Sequence, residues 1–445
     1  MQLTIVGGGG FRTPLVFQEL VADPTRLIDR VVLVDSTQER LRVIAAVLRG
    51  QAASSPWAPE VVVTGDLREG LTGADYVFAA IRAGGLGGRV HDENIALSHG
   101  VLGQETVGLG GILYALRSIP AMHEVGAAVA RHAPDAWLIN FTNPAGMVTE
   151  SLQGVLPGRV IGICDSPSAL VRRVCRALGI DERRADVDYV GLNHLGWLRA
   201  VRVDGVNLLP DLITNADLLG TFEEGELFGA DLLRALGTIP NEYLHYFYSA
   251  DDVVASLRAT ASRASFLQAQ QTAFYDEALR SSSPYALWKR TVDERNRTYM
   301  ATSREAAGAG ERDEEDVEGG GYERIALAVM RSLAHDTGER LILDVPNGNS
   351  VTALDSRSVI EIPCTVDKSG YHPLTVAPLT DHEAGLMLQI KAVERWTIRA
   401  ALDGDREALD AAIATHPLNG SYSRATRIVD EWLTHFPDLQ RTFTR

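Results

Sequence analysis

The chain has 445 residues, 45% apolar and 22% charged, with 41 glycines and 18 prolines. These proportions build a globular protein with a large core and exclude disordered and collagen-like chains. Its 42 basic and 58 acidic residues leave a net charge of −16; such a surface repels phosphate backbones and anionic lipid, so neither nucleic acid nor a membrane is expected as a partner.

Any anionic substrate must then be met by a local cluster of arginines. The length suits two or three lobes at about 150 residues each. Cys164, Cys175 and Cys364 are too few and too scattered for a disulfide framework, which points to a reducing, cytoplasmic compartment. The first seven residues already read as a strand entering glycines, which leaves no room for a signal peptide. No apolar run reaches the roughly 18 residues that span a bilayer.

In chain order, Leu3 to Val6 predicts a strand, Gly7 to Gly10 a tight turn and Pro14 to Val21 a helix. Val31 to Val34 predicts a second strand ending at Asp35, followed by a helix with Leu41, Ile44, Ala45 and Leu48 on one face. Further short apolar runs occur at Val61 to Val63, Tyr76 to Ala80, Trp137 to Asn140 and Val160 to Ile163. Strands alternating with helices imply an α/β fold with a parallel, doubly wound sheet of the Rossmann type, as in lactate and malate dehydrogenases. We place this NAD-binding lobe at residues 1–190. Residues 191–445 read as an α+β lobe, to which the resemblance given below assigns substrate and metal binding and oligomerisation. Tyr189 to Leu192 and Leu198 to Val203 predict strands there, with Asp204-Gly205 as a hairpin turn. Helical patterns follow from Leu218, notably Leu227 to Leu236 and Ser265 to Leu279. Glu305 to Gly321, rich in Ala, Gly and acid, reads as an exposed mobile loop. A helix resumes over Ile325 to Leu333, strands follow at Leu341 to Asp344 and Val359 to Ile362, and the tail from Glu383 to Phe436 is mostly helical.

Strand, glycine turn, helix and a second strand ending in Asp35 is the arrangement that binds a dinucleotide. Gly7, Gly8, Gly9 and Gly10 allow close approach to a pyrophosphate at a helix N-terminus, and the Asp35 carboxylate takes the ribose hydroxyls. An acid there favours NAD over NADP. Arg12 stands where the third glycine of the fingerprint falls.

Five later segments carry too many polar residues for simple packing: residues 81–94, 103–106, 140–146, 162–167 and 191–196. Several follow directly on predicted parallel strands, whose carboxyl ends are where open α/β sheets bind ligands, so we read them as site-bearing loops. Cys164 and His194 form the sharpest pair, able to hold a divalent metal with positions left open for substrate; a buried inert cysteine and a satisfied core histidine is the alternative. Cys175 falls on an apolar helical face and reads as core, while Cys364 follows a strand without ligand-type neighbours. Tyr243 opens an aromatic cluster, Tyr246 to Tyr248, that reads as packing. Tyr243 itself becomes a base if a neighbouring charge lowers its pKa.

Taken in order, the glycine turn, the Arg-rich segment ending Asp92-Glu93, Gly-Gln-Glu-Thr at 103–106, Asn-Phe-Thr-Asn-Pro-Ala-Gly at 140–146, Cys-Asp-Ser-Pro at 164–167, Gly-Leu-Asn-His at 191–194, Ile-Pro-Asn-Glu-Tyr at 239–243, Gly-Gly-Gly-Tyr at 319–322 and Val-Pro-Asn-Gly-Asn at 345–349 resemble glycoside hydrolase family 4. That family comprises NAD- and divalent-metal-dependent glycosidases. The set looks most like its 6-phospho-β-glucosidase branch, although Asp165 is the residue associated with α-specific members. The resemblance implies Cys164 and His194 as ligands of the metal, commonly Mn²⁺, although a thiolate–imidazole pair suits Zn²⁺ on softness. It implies Tyr243 as base, Asp165 as proton donor and Glu105 as the group that raises the tyrosine's basicity. Arg89, Asn143 and Arg263 match substrate-contacting positions, and Arg12 replaces a phosphate contact or marks its absence. The substrate implied is a phosphorylated disaccharide or glycoside, hydrolysed by oxidation at C3, deprotonation at C2, elimination and addition of water. A homodimer or homotetramer is implied. Three readings remain beside it: a 6-phospho-α-glucosidase, an unphosphorylated-glycoside member of the same family, and a simple NAD-dependent 2-hydroxy acid dehydrogenase, which needs a His–Asp pair.

Overall fold

Six short, mostly apolar strands form the first half of the sheet. In the computed structural model, which describes residues 1–259, 262–298 and 321–443, these are β1 (Gln2–Val6), β2 (Arg30–Val34), β3 (Glu60–Thr64), β4 (Tyr76–Ala79), β5 (Trp137–Asn140) and β6 (Val160–Gly162). They pair in parallel in the order β3-β2-β1-β4-β5-β6, the doubly wound order expected of a dinucleotide-binding lobe. Alternation sends Leu3 and Ile5 into one core with Phe17 and Val47, and Val6 into a second core with Ile119 and Met122 of the helix Gly108–His132.

Seven more strands continue the same sheet: β7 (Asp186–Leu192), β8 (Leu195–Val203), β9 (Val206–Asn207), β10 (Ile239–Pro240), β11 (Glu339–Pro346), β12 (Val359–Asp367) and β13 (Gly370–Pro373). Beyond β6 the order runs β11-β12-β7-β8-β10, all antiparallel. The sequence boundary at residue 190 therefore falls inside β7, within one sheet. Single pairs make the two joins, Asp344 opposite Gly162 and Glu361 opposite Gly191. A Cβ on Gly162 would lie 2.7 Å from that of Asp344, so the close approach requires glycine there. Asp204 and Gly205 form the two-residue turn between β8 and β9, both with positive φ.

Two expectations are corrected. Residues 85–98 form a helix, Gly85–Ser98, so Arg89 projects from a helix rather than a loop; the left-handed Gly84 ends the strand connection and the helix starts directly after it. Cys364 lies inside β12, paired with Leu341 and fully buried, rather than after a strand. The stretch read as a mobile loop, apart from Gly321, and the first two glycines of the 319–322 motif lie outside the described residues. No helix among the described residues is long and apolar enough to cross a membrane.

The C-terminal helices are tied to the site-bearing layer by a buried charge. Asp92 accepts hydrogen bonds from Arg117 Nη1 at 2.9 Å, Arg117 Nη2 at 2.5 Å and Trp432 Nε1 at 2.7 Å. It thus joins the helices Gly85–Ser98, Gly108–His132 and Tyr422–His435. Asp92→Ala strands the Arg117 guanidinium in the interior, and should lower the unfolding free energy by about 3–5 kcal/mol, read as a fall in the urea midpoint at unchanged slope.

Candidate active site

A cavity of about 1140 Å³ opens at the carboxyl ends of the parallel strands. One end is built around the glycine turn. Gly7, Gly10 and Asp35 line it, whereas Gly8 and Gly9 do not. Their absent side chains serve packing instead: a Cβ at Gly8 would lie 2.8 Å from Leu33 Cα, and one at Gly9 2.9 Å from Asp35 Oδ2. The helix Thr13–Ala22 begins at Arg12 without a side-chain cap, leaving its N-terminus to the cavity. Asp35 accepts hydrogen bonds from the Gly9 amide (3.1 Å) and the Thr37 amide (2.8 Å). Each carboxylate oxygen retains a lone pair, which suits ribose hydroxyls. These features fit a dinucleotide. Residues from the second half of the chain hold the turn by its carbonyls: Tyr275 Oη donates to Gly9 at 2.7 Å, Trp288 Nε1 to Phe11 at 2.9 Å and Tyr322 Oη to Arg12 at 3.1 Å.

The other end gathers Cys164, Asp165, Asn143, His194, Tyr243 and Glu105 on one wall. Cys164 follows β6. Burial, reinforced by Glu361, Asp165 and Asp344, pushes its thiol well up from the ordinary range. His194 occupies the two-residue turn between β7 and β8 with φ at +64°, a conformation uncommon outside glycine and typical of positions where a side chain must be presented. Burial holds its imidazole down at about 4, and Thr106 Oγ1 lies 2.6 Å from its Nδ1. Tyr243 stacks on it, ring centroids 3.6 Å apart and planes 4° from parallel. Asn241 sets that ring in place: its Oδ1 accepts from the Tyr243 amide at 2.9 Å, and its own amide donates to Gly196 in β8.

Asn140 explains the Asn-Phe-Thr-Asn-Pro segment. Its side chain bonds Thr142, Ala145 and Thr149 and folds the loop that carries Asn143 into the cavity. The Asn347 side chain does comparable work at the 345–349 segment, donating to the carbonyls of Val351, Leu354 and Asp355.

A neutral imidazole and a thiolate suit a divalent ion, and Cys164, whose thiol is held up by burial, would release its proton on binding one. Among the described residues no cluster of three or more His, Cys, Asp or Glu side chains is able to hold one. An ion held by Cys164 and His194 would leave its remaining positions to water or substrate.

Glu105 is pinned by two arginines: Arg82 pairs with Oε1 and Arg89 Nη1 lies 2.7 Å from Oε2. Burial alone would raise its carboxyl, but the two guanidiniums outweigh it and hold the group at about 2. Arg89 also meets Glu93 at 2.7 Å, so its charge is shared between two carboxylates. Arg263 lines the cavity and donates to Thr298 and to the Arg295 carbonyl. Arg12 lies 3.8 Å from Asp165 and over the rings of Phe141 and Tyr322. Arg295, not singled out in the sequence, also lines the cavity. Burial and then Arg12, Arg263 and Arg89 push it well below the usual guanidinium range. Arg295 stands in a run of charges, Asp293 to Arg297, that looks like any solvated helix face. Arg82 was findable, being two residues beyond Ala80 at the end of the β4 run.

The family model described as Family 4 glycosyl hydrolase matches residues 2–180, and that of the Family 4 glycosyl hydrolase C-terminal domain matches residues 189–419. A maltose-6'-phosphate glucosidase of Clostridium acetobutylicum is 30% identical over 98% of this chain and 99% of its own. A 6-phospho-alpha-glucosidase from gut microorganisms, solved in complex with NAD and Mn²⁺, superposes with a TM-score of 0.80 at 25% identity, covering 98% of this chain and 97% of its own. The 6-phospho-beta glucosidase of Thermotoga maritima, solved with manganese, NAD⁺ and glucose-6-phosphate, gives 0.81 at 26% identity, covering 99% of both chains. The fold is shared more distantly with malate dehydrogenase of Plasmodium falciparum, at a TM-score of 0.50 and 12% identity.

The lowered His194 pKa carries a stability signature in the metal-free protein. Between the ordinary 6.5 and about 4, the unfolded chain binds a proton there that the folded chain does not. This contribution is fully present above pH 6.5 and is lost as the pH falls toward 4. His194→Asn removes the titrating group, so its urea midpoint should fall less than that of the wild type between pH 6.5 and 4.

Proposed function

This chain belongs to family 4 of the glycosyl hydrolases, and we propose that within it the protein cleaves 6-phosphoglucosides, β-linked ones first, with NAD and Mn²⁺. The observation that carries this reading is the Tyr243 ring stacked 3.6 Å from His194, in a cavity also lined by Cys164, Asp165 and Asp35. A phenol oxygen, a two-donor metal position, an acid and a ribose-binding carboxylate thereby share one space.

When bound, NAD supplies reversible hydride removal at sugar C3, and a divalent ion on Cys164 and His194 supplies positive charge beside the C2 and C3 oxygens. The chain's own groups do the remaining work. Tyr243 Oη takes the C2 proton, with Glu105 as the fixed carboxylate that raises its basicity. Asp165 delivers a proton to the departing glycosidic oxygen. Asn143 orients the sugar. Arg12, Arg263 and Arg295 receive the 6-phosphate, whose charge relieves their mutual repulsion. Arg89, shared by Glu93 and Glu105, orients Glu105.

Asp165 favours a second reading, in which the α-linked anomer is the substrate, because the resemblance associates Asp at this position with α-specific members. The two readings differ in the ring face on which the leaving oxygen departs. A 2-hydroxy acid dehydrogenase is not supported: the partner of His194 Nδ1 is a hydroxyl, where that chemistry needs a carboxylate.

Nitrophenyl 6-phosphoglucosides of both anomers, given with NAD⁺ and Mn²⁺, should release nitrophenol over many turnovers without accumulating NADH. In deuterated water the product sugar should carry deuterium at C2. Full activity in excess chelator, or one NADH per product, sinks the proposal; the faster anomer decides between its two forms.

Arg295→Ala should raise KM for the phosphorylated glucoside about 10- to 100-fold, the worth of one charge-assisted hydrogen bond, and leave KM for the unphosphorylated glucoside nearly unchanged. Equal losses on both substrates would remove Arg295 from phosphate recognition.

A further inference from the structure

Gln104 Oε1 accepts hydrogen bonds from two backbone amides, Thr106 at 2.6 Å and Val107 at 2.7 Å. Amides only donate, so this atom is the side-chain carbonyl oxygen and carries no proton. Thr106 Oγ1 lies 3.1 Å from the same oxygen, and in that contact the hydroxyl donates its single proton. The oxygen of Thr106 then faces His194 Nδ1, 2.6 Å away, with lone pairs only. With the hydroxyl proton so placed, the proton in the 2.6 Å contact would come from Nδ1.

We propose that Gln104 and Thr106 are positioning residues that fix His194 as its Nδ1–H tautomer and so present Nε2 as a bare lone pair to the catalytic cation. The inference deepens the reading of His194 as a metal ligand and rests on it. A neutral imidazole without such a partner divides between two tautomers, and the Nε2–H form cannot bind a cation through Nε2. The relay is seated on a rigid element. Gly110 and Gly111 open the helix Gly108–His132, and a Cβ on either would collide with the carbonyl oxygen of Gln104 or of Thr106. Glu105, between the two relay residues, turns to Arg82 and Arg89. Three consecutive side chains thereby serve two parts of one cavity wall.

The competing arrangement is a Thr106 hydroxyl that donates to Nδ1, which places the ring proton on Nε2. Long-range ¹H–¹⁵N spectra of metal-free protein labelled at histidine distinguish the two, with Mn²⁺ uptake followed separately by the electron paramagnetic resonance of free Mn²⁺. We expect an Nδ1–H imidazole for His194 in the wild type. Thr106→Val, which keeps the shape and removes the oxygen, should mix the tautomers and weaken Mn²⁺ binding about 10- to 100-fold; Thr106→Ser should restore both. An Nε2–H imidazole in the wild type overturns the proposal, as does a folded Thr106→Val protein with unchanged tautomer and unchanged Mn²⁺ affinity. An Nδ1–H imidazole in a protein that takes up no Mn²⁺ supports the relay and overturns the ligand role of His194. Tight Mn²⁺ binding beside an Nε2–H ring does the reverse.

Discussion

The halves of this molecule meet in one sheet where two buried acids stand opposite two glycines. Asp344 stands opposite Gly162 and Glu361 opposite Gly191, where an antiparallel pair is inserted between β6 and β7. Burial, then Glu394 for Asp344 and Asp344 for Glu361, pushes both carboxyls upward, toward neutral forms compatible with a dry interior. Tyr189 donates to Glu361 at 2.8 Å. Cys164 lies two residues beyond Gly162, and His194 three beyond Gly191. A side chain that widened either join would separate the two strand ends, and with them the thiol from the imidazole.

Around those ends an acidic chain concentrates arginine, in two different roles. Arg82 and Arg89 are neutralised by carboxylates and stiffen the wall that carries Glu105. Arg12, Arg263 and Arg295 lie close enough to act on one another, with Arg12 also 3.8 Å from Asp165. Ion pairs of the first kind position groups; a crowd of the second kind awaits an anion. The net charge of −16 says nothing of this, because field at a cavity is set by the nearest few groups rather than by the sum over the surface.

Much of this was legible in the sequence, for physical reasons. The parallel strands were visible because all but the edge strand β3 are mostly buried on both faces and therefore read as short apolar runs. The polar segments at strand ends were visible because open α/β sheets bind ligands there, and Asn143, Cys164, Asp165, His194 and Tyr243 do converge on one cavity. Arg89 was misplaced in a loop because the glycines around Gly84 to Gly88 mask a helix whose other residues are well suited to one. Arg295 was missed because helical periodicity cannot tell a solvated charge from one turned toward a cavity. Nothing local links Thr106 with His194, which are 88 residues apart. Anomeric preference was not legible, since it depends on where a proton stands relative to a sugar ring and no residue type encodes that by itself.

The grip on the glycine turn has a consequence for how the protein is made. The donors that hold the carbonyls of Gly9, Phe11 and Arg12 lie 266, 277 and 310 residues further along the chain. During synthesis from the amino terminus, the turn leaves the ribosome long before Tyr275, Trp288 and Tyr322 do. A nascent chain halted in the first lobe therefore holds every glycine of the dinucleotide turn while lacking the clamp that fixes them. The hydrogen bonds that fix this turn are therefore among the last in the chain to become possible.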